Sequence, residues 1–421
     1  MPDSQPQPPH SSSSSGSSGP TDPGALLLCG ARLTDGRTVD VRLGGGRIEA
    51  VGTAGSLAAG DTRACGARVD LSGYLLLPAP AEPHAHGDTA LSADEGGPVS
   101  YDPHDVQRRA TEAALLQLGH GATALRAHVR VGDVQGLGAL EAVLQARRSL
   151  RGLAELTTVA MPRLLTGVAG AEGLAMLRDA VKMGASVVGG CPDLDPDPTG
   201  YVEAVLEVAS EQGCPVDLHT DATDPARLAR LAAMAGGLRP GVTLGPCGGL
   251  GRLPAQLASR TADQLAAAGV TVVCLPQGGC GGVERRATAP VRLLRAAGVR
   301  LAAGSGALRD VSNPVGRGDP LEAAYLLSSR HGLRPEDAYD AVSASARAVL
   351  GLPEVRVEAG FPAELLAVRG DRLAGALSLA YSRIVVHRGR VVARTSAVRE
   401  YCNSAVAAEL GLPRQGRGEV S

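Results

Sequence analysis

Aromatic side chains are scarce in this sequence, which has no tryptophan and a single phenylalanine, Phe361. Hydrophobic residues still make up 44% of the 421 residues, so the core must be built from aliphatic side chains. A chain of this length exceeds the usual size of one simple core, but it suits one large barrel with a smaller attached domain.

Long apolar runs are also missing, because no stretch of 18 apolar residues occurs anywhere, and no membrane span is predicted. The first 24 residues lack the basic and apolar regions of a signal peptide, and their Pro, Ser and Gly content predicts a disordered tail. Eight cysteines lie far apart without a CxxC pair. That pattern favours reduced thiols in a cytoplasmic protein over a disulfide framework.

Neither sign of charge dominates, since 41 basic and 43 acidic residues give a formal net charge of -2. They are spread along the chain, so no broad surface field favours nucleic acid or anionic lipid. We therefore expect a small-molecule substrate or ligand, with no nucleic-acid and no membrane partner. The composition is also compatible with a homo-oligomer.

The chain changes character twice along its length. Residues 25–73 read as short strands punctuated by glycine, which is typical of a β-sandwich. Apolar strands then alternate with amphipathic helices over residues 74–352, and the strand pattern returns over 353–400. We predict an α/β fold in which a (β/α)8 TIM barrel is inserted in a small discontinuous β-sandwich domain, followed by a tail at 401–421.

Eight strands are predicted for the barrel, and their carboxyl ends are where such barrels place their chemistry. They lie at 75–86, 122–131, 156–162, 186–192, 215–221, 241–247, 269–277 and 298–307.

Three histidines fall at the ends of these predicted strands. His84 and His86 are one residue apart in "EPHAH", so they share one face of the first strand, and His219 ends the fifth in "VDLHT". Together they predict a site for one divalent metal, Zn²⁺ or Fe²⁺. A lone HxH is as often two hydrogen-bonded polar residues, and it is the matching position of His219 that favours a metal. His128 in "RAHVR" also faces the mouth, as a hydrogen-bonded or substrate-contacting residue.

The order of motifs resembles the amidohydrolase superfamily, in particular its cytosine deaminase-like branch. The resemblance covers roughly residues 25–396 and depends on "SGYLLLPAPAEPHAHGDT", the following βα units and the late "VEAGFPAELLAV". It implies metal-dependent hydrolysis of a C–N bond, with one metal held by HxH on strand one, His on strand five and Asp on strand eight. His84, His86 and His219 match the three histidines.

The remaining positions of the branch are altered in this sequence. The strand-eight Asp aligns with Gly306, the proton-carrying Glu after the strand-five His with Ala222, and the strand-six His with Pro246. Asp221 lies one residue before the Glu position and is a weak catalytic candidate. Arg163 aligns with the glutamine that grips a pyrimidine, and a guanidinium there favours a carboxylate or phosphate.

These changes leave three hypotheses open. General acid–base groups contribute about 10²- to 10⁴-fold each, so a metal-dependent amidohydrolase lacking them is expected to be weak or altered. The alternative is a catalytically inactive pseudoenzyme that binds a small molecule or acts as a partner subunit. The third is a changed enzyme using Arg163, Asp88 and Cys247 or Cys280 on an anionic substrate.

Since Lys182 is the one lysine and lies on a predicted helix, a lysine-bridged binuclear site is excluded.

Overall fold

The structure is a computed structural model that describes residues 25–57, 66–94, 98–278 and 287–397. The two predicted terminal tails and Cys280 therefore lie outside the described residues. None of the described helices is both long and apolar enough to cross a bilayer.

Sixteen strands and eleven α-helices make up the described part of the chain. The strands are β1 (Leu26–Arg32), β2 (Thr38–Gly44), β3 (Arg47–Thr53), β4 (Arg68–Asp70), β5 (Tyr74–Pro78), β6 (Ala81–Ala85), β7 (Ala124–Val131), β8 (Glu155–Pro162), β9 (Val187–Gly190), β10 (Val216–Thr220), β11 (Val242–Pro246), β12 (Thr271–Cys274), β13 (Arg300–Ala303), β14 (Leu365–Arg369), β15 (Arg383–His387) and β16 (Arg390–Thr395). The helices are α1 (Pro103–Gly119), α2 (Gly138–Ser149), α3 (Gly167–Met183), α4 (Pro198–Gln212), α5 (Pro225–Ala235), α6 (Ala255–Ala267), α7 (Val291–Ala296), α8 (Pro320–Ser329), α9 (Pro335–Val342), α10 (Ala344–Val349) and α11 (Leu373–Leu379).

Strands β6 to β13 form one parallel sheet in sequential order. A parallel bridge between Ala85 and Gly306 joins the first strand to the chain just after the last, and the Gly306 amide donates to the His84 carbonyl at 3.1 Å. The sheet thereby closes into the predicted barrel, and the α/β barrel fold is confirmed. Buried Leu, Val and Ala side chains pack between the strands and the surrounding helices, so the core is aliphatic as expected.

An Asp-Pro dipeptide marks the start of four barrel helices, α1, α4, α5 and α8. The aspartates accept a hydrogen bond from an amide two residues on, and the prolines occupy the first helical turn, where no amide donor is needed. The pairs are Asp102-Pro103, Asp197-Pro198, Asp224-Pro225 and Asp319-Pro320. These caps fix where each helix leaves its loop, and so they help to define the mouth of the barrel.

The second sheet draws strands from both ends of the chain, in the order β16-β15-β14-β5-β1-β2-β3 with β4 beside β1. It is largely antiparallel and has its own aliphatic cluster. The sequence pattern joined residues 75–86 into one barrel strand, but the structure divides them. Strand β5 pairs with β14 in this second sheet, and only β6 belongs to the barrel. Pro80 lies at the division, where its missing amide hydrogen suits a break in pairing.

A buried ion pair ties the second sheet to a helix of the barrel. Arg383 of β15 donates to both carboxylate oxygens of Asp319, at 2.8 and 2.7 Å, and Asp319 also caps α8 of the barrel. Both side chains are almost fully buried, at 4% and 2% exposure. Burial raises the pKa of the Asp319 carboxyl, but Arg383 outweighs it and the net pKa is lowered.

We expect Asp319→Asn to lower the free energy of unfolding by about 3–5 kcal/mol, because it leaves a buried guanidinium without its counter-charge. Asparagine still caps a helix, so the loss isolates the ion pair. Urea unfolding at pH 7 measures it. The folded carboxyl titrates below its unfolded pKa, so the advantage of the wild type should shrink as the pH falls below about 4.

The matched control is Asp179→Asn, which removes an exposed ion pair with Lys182. Its cost should be below about 1 kcal/mol. Equal effects of the two substitutions would contradict the role given to the buried pair.

Candidate metal centre

Four imidazoles converge inside the carboxyl-terminal half of the barrel. They belong to His84 on β6, His86 just after it, His128 on β7 and His219 on β10. All pairs of ring centroids lie between 4.1 and 5.5 Å apart. The three histidines singled out as ligands are therefore brought together, with His128 beside them.

His84, His86 and His219 each offer a ring nitrogen to a group whose ligand atoms all lie within 4.8 Å of one another. The Nε2 atoms of His84 and His219 are 2.7 Å apart. His84 Nδ1, His86 Nε2 and His219 Nδ1 are buried and have no hydrogen-bond partner. Because an unsatisfied buried polar atom is costly, this donor set fits a metal ion.

Burial keeps these imidazoles uncharged. It lowers the pKa of His219 to about 3, and the pKa values of His84 and His86 fall well below 6.5 for the same reason. Neighbouring imidazoles and nearby arginines lower them further. A neutral imidazole is the form that ligates a metal, so the rings are ready to bind at neutral pH.

A buried charged network, which the sequence pattern did not predict, lies beside the histidines. Asp217, two residues before His219, accepts a hydrogen bond from Arg126 at 2.9 Å and lies 3.4 Å from His128 Nε2. Burial raises the Asp217 pKa, but His128 and Arg126 together reverse the shift, so the carboxyl stays ionised. His84, His128 and Asp217 form a second group of ligand atoms within 4.8 Å of one another.

Glu82 links the first and last strands of the barrel below His84. Its carboxyl accepts hydrogen bonds from the Ser305 hydroxyl at 2.5 Å and from the Ser305 and His84 amides. Burial raises its pKa to about 7. These contacts join β6, which carries His84, to the segment just after β13 that carries Gly306.

The structure shows the surroundings of the positions that differ from the branch, and of Asp221 beside them. Ala222 has a φ of 57°, is 2% exposed and packs in the apolar cluster with Leu228. Asp221, the weak catalytic candidate, forms an ion pair with Arg252 at 2.9 Å. Pro246 follows a cis peptide bond at the end of β11, and Gly306 has a φ of 72°.

The groups of the changed-enzyme hypothesis differ in exposure and in acidity. Burial raises the pKa of the Cys247 thiol strongly, so the thiolate is disfavoured, and Cys247 is fully buried. Asp88 is also buried and its pKa is raised, chiefly by burial. Arg163, the predicted substrate contact, is exposed just after β8. This arrangement does not support a cysteine nucleophile.

The sequence profile of the amidohydrolase family matches residues 104–393, more than half of the chain. The chain belongs to the amidohydrolase family. A pterin deaminase from Rhizobium rhizogenes is 28% identical over 375 residues, which are 80% of this chain and 85% of that protein.

Solved structures agree on the fold. N-isopropylammelide isopropylaminohydrolase from Burkholderia multivorans superposes with a TM-score of 0.78 at 27% identity, over 89% of this chain and all of that chain. The 5-methylcytosine deaminase from Klebsiella pneumoniae gives 0.78 at 24% identity, over 90% and 100%, and its likeness shows the fold alone. The predicted family is confirmed, and this family depends on metal. The names of the relatives describe reactions on small molecules.

We expect the affinity of the apo-protein for Zn²⁺ to change by less than about tenfold between pH 7.5 and 5.5. Three ordinary histidines with a pKa near 6.5 would lose roughly 1,000-fold, because each must give up a proton. Competition with a chelator of known affinity at each pH measures the change. A loss near 1,000-fold would show that the ligands are not these buried, neutral imidazoles.

Proposed function

We propose that this protein uses one divalent metal, held by His84, His86 and His219, to hydrolyse a C–N bond in a small molecule. The observation that carries the proposal is the convergence of three neutral imidazoles with unpartnered buried nitrogens at the end of a barrel. The named activities of the relatives, deamination and removal of an isopropylamino group, are reactions of this class.

The chain's own residues have separate roles in such a reaction. Zn²⁺ or Fe²⁺ at the three imidazoles would supply a Lewis acid and a water of lowered pKa. His84 and His219 are almost fully buried and keep bulk water from the inner side, whereas His86 is partly exposed toward the mouth. Asp217, which accepts a hydrogen bond from Arg126, lies 3.4 Å from Nε2 of the His128 ring, and that ring packs against His84.

The site lacks acid–base side chains at the positions where the resemblance implies them. Ala222, Pro246 and Gly306 occupy the positions where the resemblance implies a glutamate, a histidine and an aspartate, and none of them carries a proton. Losing groups of this kind costs about 10²- to 10⁴-fold each, so deamination of cytosine itself should be weak or absent. A glutamate at 222 would place a carboxylate among the apolar neighbours of Ala222 and is not expected to restore the rate.

A second function, that of a pseudoenzyme, is favoured by the same three positions. The strand pattern and the histidine cluster persist, whereas the acid–base groups are lost only near the mouth. Such a protein would bind a small molecule, or serve as a subunit partner, without turnover.

The metal content of the purified protein distinguishes the metal-dependent hydrolase from the pseudoenzyme. Protein purified without chelators should contain about one equivalent of Zn²⁺ or Fe²⁺ per chain, and His219→Ala should lose most of it because one of three ligands is gone. His104→Ala, at an exposed position of α1, is the control and should retain the metal. Elemental analysis of all three proteins gives the answer. Absence of metal from the wild type would contradict the hydrolase and support the pseudoenzyme.

We further expect Gly306→Asp to strengthen metal binding by at least about tenfold, because it supplies the missing carboxylate next to His84. Gly306→Asn is the matched control, since it has the same size and the same strain at a φ of 72° but is a poorer ligand. Chelator competition compares the two variants. Equal affinities would show that position 306 does not face the metal and would contradict the alignment.

A further inference from the structure

We propose that a cleft at the amino-terminal end of the barrel binds a small polyphosphate. The cleft lies between the barrel and the second sheet, and arginines from both walls line it. We call it the arginine cleft. Its ligand is independent of the metal centre and of the reaction proposed above.

Two adjoining hollows form the arginine cleft. One of about 370 Å³ lies beside the end of α2 and the start of β8, and one of about 650 Å³ lies along the hairpin of β15 and β16. Gly152, His387 and Arg388 line both hollows. Glu155, the first residue of β8, lines the smaller one, so the cleft lies at the opposite end of the barrel from the histidines. Each hollow has the size of a small-molecule site.

The charge on the walls is concentrated in one sign. The barrel contributes Arg147, Arg148 and Arg151, and the hairpin contributes Arg388, Arg390 and Arg394. Among the described residues that line the two hollows, Glu155 is the one carboxylate, and it pairs with Arg388 at 2.8 Å. Basic and acidic residues are nearly equal in number over the whole chain, so this excess is local. A cleft lined by one sign of charge concentrates ions of the opposite sign.

Four of these arginines, Arg148, Arg151, Arg390 and Arg394, are exposed and form no ion pair with a carboxylate in the described part of the chain. The end of a helix attracts cations, which accounts for Arg148 in the last turn of α2. It does not account for Arg390 and Arg394, which a strand of the other sheet places along the same cleft. Like charges repel across such a space, and an anion between the walls would remove that repulsion.

The chemistry of the walls favours phosphate groups. A guanidinium stays charged at physiological pH and matches phosphate oxygens through paired hydrogen bonds. Arginines spread over two adjoining hollows suit a chain of phosphates better than a single carboxylate. Proteins that bind single-stranded nucleic acid stack its bases on aromatic side chains, and no Phe, Tyr or Trp occurs among the described residues that line the cleft. We therefore expect recognition of the phosphates alone.

Isothermal titration calorimetry with inorganic tripolyphosphate tests this inference on the full chain. We expect one equivalent to bind, at least about tenfold more tightly than inorganic phosphate. Arg151→Gln combined with Arg390→Gln removes one arginine from each wall and should weaken binding at least about tenfold. Glu155→Gln should instead tighten binding about two- to fivefold, because it removes the carboxylate and frees Arg388.

The matched control is Arg260→Gln combined with Arg330→Gln, which changes the net charge equally at two exposed arginines outside the cleft. This variant should bind tripolyphosphate as the wild type does. His219→Ala should also retain binding, because the cleft does not include the metal centre. ATP should have no more than about a fivefold advantage over tripolyphosphate, since one stacked base would add more.

No binding of tripolyphosphate, equal losses in the two double variants, or loss of binding in His219→Ala would each overturn the inference. Unchanged or weaker binding by Glu155→Gln, or a larger advantage of ATP, would contradict recognition by the arginines through phosphate alone. Sedimentation with vesicles that contain phosphatidylinositol 4,5-bisphosphate tests the other source of clustered phosphates. Binding to these vesicles without binding of free tripolyphosphate would assign the arginines to a membrane surface and would also overturn the proposal.

Discussion

Four imidazoles are packed together inside the barrel, and several of their ring nitrogens have no hydrogen-bond partner. Leaving such a buried polar atom unsatisfied costs about 1–3 kcal/mol, so the arrangement is expensive for the protein alone. Coordination of these nitrogens to a divalent cation would offset that cost. Three contacts surround the cluster of imidazoles. They are the bridge that closes the barrel at Gly306, the hydrogen bonds of Glu82 with Ser305 and the ion pair of Asp217 with Arg126.

Burial also sets the protonation state of the groups in and around the site. It holds the histidines in their neutral, ligating form, and it raises the pKa of the Cys247 thiol, so that cysteine chemistry is disfavoured. The carboxyl that stays ionised inside, Asp217, does so because Arg126 and His128 face it. In the function proposed above, the chain keeps the metal-holding half of an amidohydrolase site, whereas the resemblance aligns alanine, proline and glycine with the proton-handling positions.

The barrel could be predicted because each of its strands is a short apolar run before a helical pattern, and His84, His86 and His219 fall where such runs end. The division of residues 75–86 could not, because only Ala79 and Pro80 separate the two strands, and only pairing with β14 shows that Tyr74–Pro78 lies in the other sheet. Alternation along a strand tells which residues share a face but not what lies opposite them. Arg126 and Asp217 were therefore missed, although each is two residues from a histidine.

Zinc-edge X-ray absorption on protein loaded with one equivalent of Zn²⁺ tests the central claim most directly, because it reports the atoms bound to the metal. The account predicts three imidazole nitrogens per zinc at about 2.0–2.1 Å, with the remaining position taken by oxygen, and one imidazole fewer in His86→Ala. Sulfur ligands, or an unchanged imidazole count in that variant, would contradict it.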